Sequence, residues 1–130
     1  MLLSPTELVA AAKAEITEAS VEEFHEMADA QCLLIDLRDR DEYLAAHLPG
    51  AVCEPRGMLE FKIHGLVQAE MPVTDAPPAD QPIVLYCGTG GRSALSAQSL
   101  QSMGYTNVRS IAGGIDAWNA AGLPLANRDG

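Results

Sequence analysis

The chain has 130 residues, 48% hydrophobic and 20% charged, with only 5% aromatic; that is enough for one domain around an aliphatic core. A formal net charge of −10 opposes non-specific attraction to nucleic acid or an anionic membrane surface, so an anionic small substrate needs a local positive site. Cys32, Cys53 and Cys87 are odd in number and widely spaced, which fits neither a disulfide framework nor a zinc ribbon.

Met1 to Glu7 lacks the basic start and apolar core of a signal peptide, and no apolar run reaches the roughly 18 residues of a membrane span. The expectation is a cytoplasmic protein. From Thr6 to Glu15, Leu8, Val9, Ala11 and Ala12 recur at near-helical spacing and predict a short amphipathic helix. Ser20-Val21-Glu22-Glu23 matches a capping box, which starts a helix burying Val21, Phe24 and Met27 and ending near Ala30.

Cys32 to Leu37 is a continuous apolar run ending in charge, the pattern of a strand covered on both faces of a parallel sheet. Ile83 to Tyr86 repeats it. Between them, Asp39 to His47 reads as a short helix, Pro49-Gly50 as a turn, Ala51 to Cys53 as a brief strand and Met58 to His64 as a helix. Met71 to Pro82 holds four prolines and reads as an irregular surface connection.

Ser93 to Met103 predicts a helix stopped by Gly104, Val108 to Ile111 a strand, and Ile115 to Ala121 a last helix ended by Gly122 and Pro124. Strands alternating with helices predict an α/β sandwich with a mostly parallel central sheet and helices on both faces. Ligands of such folds bind beyond the carboxyl ends of the strands.

Cys87 lies at such an end. It opens Cys87-Gly88-Thr89-Gly90-Gly91-Arg92-Ser93, between a strand and a helix. A helix N-terminus offers unpaired N–H groups and the positive end of the macrodipole, and both favour a thiolate. Glycines at 88, 90 and 91 permit tight curvature with little bulk, so the amides can turn inward as an anion-binding cradle around the sulfur. The same donors suit a persulfide, whose terminal sulfur carries the charge. Arg92 adds a cation that either binds an oxyanion or braces the loop, for instance by pairing with a carboxylate. Thr89 contacts substrate or stays solvated, and Ser93 reads as a helix cap.

Three segments together resemble the rhodanese family of sulfurtransferases: the loop Cys87-x-x-x-x-Arg92; Leu34-Ile35-Asp36-Leu37-Arg38 through Glu42, His47, Pro49, Gly50 and Ala51; and Gly113-Gly114-Ile115-Asp116-Ala117-Trp118 with Ala121-Gly122-Leu123-Pro124. The resemblance implies a rhodanese domain over 20–127 behind an N-terminal helical extension, 1–19. It also implies a two-step reaction without cofactor or metal. Cys87 takes a sulfane sulfur from thiosulfate or a similar donor, and the persulfide passes it to cyanide or another thiophilic acceptor, a protein thiol among them.

Within that expectation Gly88, Thr89, Gly90, Gly91, Arg92 and Ser93 bind substrate. Asp36 and Arg38 position the loop, and Arg56 or Lys62 helps to recognise the donor. The opening Cys-Gly-Thr-Gly looks more like mercaptopyruvate sulfurtransferases, which are typically two-domain. Two other readings stand beside this one. Phosphatase or arsenate-reductase chemistry on the same fold goes with a ring one residue longer, Cys-x5-Arg, and a non-catalytic module of the fold commonly lacks the cysteine. Cys32 and Cys53 read as small core residues, His25, His47 and His64 as surface or turn residues, and Trp118 as a core anchor.

Overall fold

A computed structural model describes residues 1–27, 32–69 and 77–127. Helix α1 (Pro5–Lys13) begins at Ser4, whose hydroxyl accepts from the Glu7 amide at 3.1 Å while Glu7 accepts from the Ser4 amide at 3.0 Å. Ser20 and Glu23 make the same reciprocal pair at 3.0 Å at the start of α2 (Val21–Glu26), so this capping box is real. The expected end of that helix near Ala30 lies outside the described residues.

The remaining elements follow as β2 (Leu33–Asp36), α3 (Arg40–Ala45), β3 (Val52–Cys53), a 3-10 turn (Arg56–Met58) running into α4 (Leu59–Ala69), β4 (Ile83–Tyr86), α5 (Gly91–Ser102), β5 (Val108–Ile111) and α6 (Gly114–Ala120). Of the proline-rich connection, 71–76 lies outside the described residues; 77–82 carries no helix or strand. Two elements differ from expectation. Thr17–Ala19 is a strand, β1, pairing parallel with β5. Helix α4 continues past His64 to Ala69, because Leu59, Ile63 and Val67 keep an i, i+4, i+8 stripe that is wholly buried.

The five strands lie in the order β1-β5-β4-β2-β3, and every ladder is parallel. Strands β2 and β4 are buried on both faces, which is why each is an unbroken apolar run. Leu33, Ile35, Ile83 and Leu85 meet α4 and α5 on one face, while Leu34, Val84 and Tyr86 meet α2 and α6 on the other. Trp118 is buried there, its indole N–H donating to Pro124 O at 2.7 Å. Cys32 and Cys53 are half-buried. His47, expected as a surface or turn residue, is buried: it stacks on Tyr43 at 3.9 Å between ring centres, and its backbone pairs with Ala126. Among the described residues no helix is long and apolar enough to cross a membrane.

The strand order puts the site in place. After β2 the chain turns to β3 at one edge, whereas after β4 it turns toward β5 on the other side. Adjacent strands whose connections part leave a crevice at their carboxyl ends. Leu37 and Cys87, the residues after β2 and β4, begin its two walls, and Leu37 N–H donates to Tyr86 O at 2.9 Å.

Burial also sorts the apolar side chains. Leu85→Ala, at a fully buried position between β2 and β5, is expected to lower the unfolding free energy by about 2–5 kcal/mol. Phe61→Ser, at 81% exposure, should change it by no more than about 0.5 kcal/mol. Urea unfolding of both variants checks the pair.

Candidate active site

Gly90, at φ +103°, is the N-cap of α5. This left-handed residue folds the chain back, so that the Gly90 amide donates to Cys87 Sγ at 3.1 Å and the Ser93 amide does so at 3.4 Å. The helix therefore starts at Gly91, and Ser93 is its third residue rather than its cap. Its hydroxyl lies 3.6 Å from Cys87 Sγ, donates to Gly90 O at 3.3 Å, and sits 2.7 Å from the Ser110 hydroxyl of β5.

The loop's amides can face the sulfur because its carbonyls are held elsewhere. Ile115 N–H donates to Cys87 O at 2.9 Å and Asp116 N–H to Gly88 O at 3.1 Å. These are free amides of the first turn of α6, and the loop carbonyls are their acceptors. So close an approach requires Gly114, at φ +59°, where a Cβ would overlap the Cys87 and Gly88 carbonyl oxygens.

The sulfur pays for its location: Cys87 is 1% exposed. Burial pushes its thiol up, but the Ser93 amide and hydroxyl and the Gly90 and Thr89 amides together outweigh it and hold Cys87 below an ordinary cysteine. Burial raises Cys32 despite a hydrogen bond from its own backbone, and burial and then Asp36 raise Cys53. Of the three thiols, Cys87 is therefore the one that ionises most readily.

Arg92 is exposed at the mouth of the loop. One of its terminal nitrogens lies 3.4 Å from where a Cβ would stand on Gly88, and another lies 3.8 Å from Glu42 Oε1 of α3. An ion pair this open contributes little stability, so the guanidinium can leave it for an anion. Thr89 is exposed; Gly91 packs beside Val9 of α1. Arg56 sits in the 3-10 turn beyond β3, at the same sheet end, and its Nε is buried without a partner among the described residues. Lys62 is exposed on α4.

Asp36 and Arg38 are buried, Asp36 beside Tyr86 in the β2–β4 ladder, and among the described residues neither side chain makes a hydrogen bond to the loop. Arg38 Nη2 meets Asp36 Oδ2 at 2.8 Å and donates to Ala46 O at 2.6 Å. Tyr86 donates its hydroxyl to Asp36 Oδ2 at 2.7 Å and accepts from Leu48 N–H at 3.1 Å. Burial, and then Asp36, push the Tyr86 phenol up, so it stays a donor. The network fixes the residue before Cys87. The sequence names Tyr86 only within an apolar run and Gly114 only within the Gly113-to-Trp118 segment, with no contact to the loop assigned to either, because the Gly114 contact is 26 residues or more away along the chain. The pairing of Gly-Gly with a helix start was the available signal.

Because the depression of the Cys87 thiol comes from donors to its anion, the alkylation rate at Cys87 is expected to rise with pH and level off below the ordinary thiol value of about 8.5. Peptide mass after iodoacetamide treatment across pH reads this. Gly114→Ala, which displaces α6 from the loop carbonyls, should move the midpoint upward.

The model of the rhodanese-like domain matches residues 20–121. The thiosulfate sulfurtransferase GlpE of Vibrio cholerae is 33% identical over 100 residues, covering 76% of this chain and 83% of GlpE. The adenylyltransferase and sulfurtransferase UBA4 of Candida albicans is 36% identical over 87 residues, and the chain spans only 19% of its length. Among solved structures, protein RPA3614 of Rhodopseudomonas palustris, described as a possible tyrosine phosphatase, superposes with a TM-score of 0.78 at 29% identity, covering 97% of this chain and 96% of that one. On the family match across most of its length, with the Cys87 loop at the end of β4 where that match runs, this chain belongs to the rhodanese family.

Proposed function

We propose that the protein is a sulfurtransferase that moves a sulfane sulfur from thiosulfate or a similar donor to cyanide or another thiophilic acceptor through a persulfide on Cys87. The observation that carries this reading is a buried sulfur held by backbone donors inside a six-residue ring, Cys87 to Arg92. The names of its relatives support the class of reaction.

In the first step the Cys87 thiolate attacks the outer sulfur of thiosulfate. A Cys87 S–S bond forms, the bond to the sulfonate sulfur breaks, and sulfite leaves with the electron pair. The persulfide anion replaces the thiolate in front of the Gly90, Thr89 and Ser93 donors. In the second step cyanide attacks the terminal sulfur, thiocyanate departs and the thiolate returns. Charge balances in both steps, and no proton has to move, which suits a loop with no histidine.

Arg92, freed from Glu42, is the cation for the donor's sulfonate, with Arg56 and Lys62 behind it. On a chain of charge −10 this local cation decides whether a dianion approaches at all. Three cysteines without a disulfide support a reducing compartment such as the cytoplasm.

The likeness to RPA3614 favours a second reading, phosphate-ester hydrolysis. Only four residues separate Cys87 from Arg92, a smaller ring than a phosphate needs, and this supports sulfur transfer over it.

Thiosulfate with cyanide should yield thiocyanate from the wild type and none from Cys87→Ser. Arg92→Ala is expected to raise the thiosulfate KM about tenfold or more, as loss of a charge-assisted contact implies. Release of phosphate from p-nitrophenyl phosphate, with no thiocyanate formed, would reverse the order of the two readings.

A further inference from the structure

We propose that Ser110 is a positioning residue for the nucleophile: its buried hydroxyl donates to Ser93 Oγ and so leaves the Ser93 proton for the Cys87 sulfur. The inference rests on the reading of Cys87 as nucleophile, and goes beyond it to a residue outside the loop.

Ser110 and Ser93 are both 0% exposed, and their oxygens lie 2.7 Å apart. Either could donate across that distance. Ser110 Oγ has no other partner among the described residues, so donating toward Ser93 is the orientation that satisfies its hydrogen. If Ser93 donated instead, the Ser110 hydrogen would be buried without an acceptor, at a cost comparable to a lost hydrogen bond. Ser93 has two other places for its own hydrogen: Gly90 O at 3.3 Å and Cys87 Sγ at 3.6 Å.

The choice between these follows the state of the sulfur. While Cys87 is a thiol, its S–H donates to Ser93 Oγ, and the Ser93 hydroxyl turns to Gly90 O. When Cys87 ionises, Sγ becomes an acceptor and the Ser93 hydroxyl can turn to it. Ser110 makes this turn possible in both states, since Ser93 never has to donate to β5. The two serines thus form a one-way relay from the sheet to the sulfur.

Of the ionisable groups on the surrounding elements, Glu18, opposite Ser110 on β1, has a buried carboxylate oxygen that pairs with Lys13 at 3.9 Å. Arg92 pairs with Glu42 at the mouth, and Arg38 pairs with Asp36 beneath Tyr86. Arg56 lies in the 3-10 turn, and Asp116 in the first turn of α6, which meets the loop through its backbone. Arg109, next to Ser110 on β5, reaches the Met27 sulfur instead. Hydrogen bonds, rather than charges, hold the sulfur's acidity.

The test is the pH dependence of Cys87 alkylation, a readout of the thiol that does not require sulfur transfer. Ser110→Ala is expected to raise the midpoint by about half a pH unit, or slow alkylation about threefold on the rising limb, the effect of one hydrogen bond. In Ser93→Ala the further change Ser110→Ala should add nothing. Because a void disturbs the core, Ser110→Thr and Ser110→Val, equal in size, are compared as well: the first should keep the lower midpoint and the second lose it. Equal midpoints for that pair, or a Ser110 effect that persists undiminished without the Ser93 hydroxyl, overturns the relay. If the wild type has an ordinary thiol midpoint, the relay falls together with the activated nucleophile; if only the serine variants fail to shift it, the nucleophile stands and the relay alone falls.

Discussion

Everything at this site depends on two hydrogen bonds that do not involve sulfur. The amides of Ile115 and Asp116, free because they begin α6, take the carbonyls of Cys87 and Gly88. A short loop closed on itself would otherwise have to find partners for its carbonyls in the space the sulfur occupies. With the carbonyls drawn outward to a second helix, the amides of Gly90 and Ser93 are left to face Sγ. The first turn of α6 and the first turn of α5 therefore act as a pair, one receiving the loop's acceptors and the other supplying its donors.

This arrangement explains how a sulfur that ionises more readily than an ordinary thiol can be buried. A thiolate removed from water is unfavourable unless donors replace the lost solvent, and here they come mostly from the backbone, whose positions are set by the fold. The sheet contributes a second layer of restraint. Tyr86, the last residue of β4, is fixed from one side by Asp36 and from the other by Leu48, and Asp36 is itself held by Arg38. A buried ion pair of this kind adds little net stability; its effect is to define where Cys87 begins.

Legibility from sequence followed the range of the interactions. Strands β4 and β5 were readable to the residue because Ile83 to Tyr86 and Val108 to Ile111 carry their burial pattern locally. Cys87 stands out in the sequence because the glycine-rich composition of its loop is local too. Thr17–Ala19 was not, since three residues with a central glutamate show no strand pattern until β5 lies beside them. His47 became buried through Tyr43 and the distant Ala126. Ser93 was misread as a cap because the left-handed turn at Gly90 starts the helix earlier than the glycine pair suggests. Ser110 and Tyr86 acquire roles only from partners 17 and 50 residues away.

A sulfur atom carried covalently by Cys87 is tested most directly by the intact mass of the protein after exposure to thiosulfate with no acceptor present. The expected result is a gain of one sulfur atom in the wild type, removed by cyanide and absent from Cys87→Ser. A wild-type mass that does not change, or a gain that survives in Cys87→Ser, would contradict it.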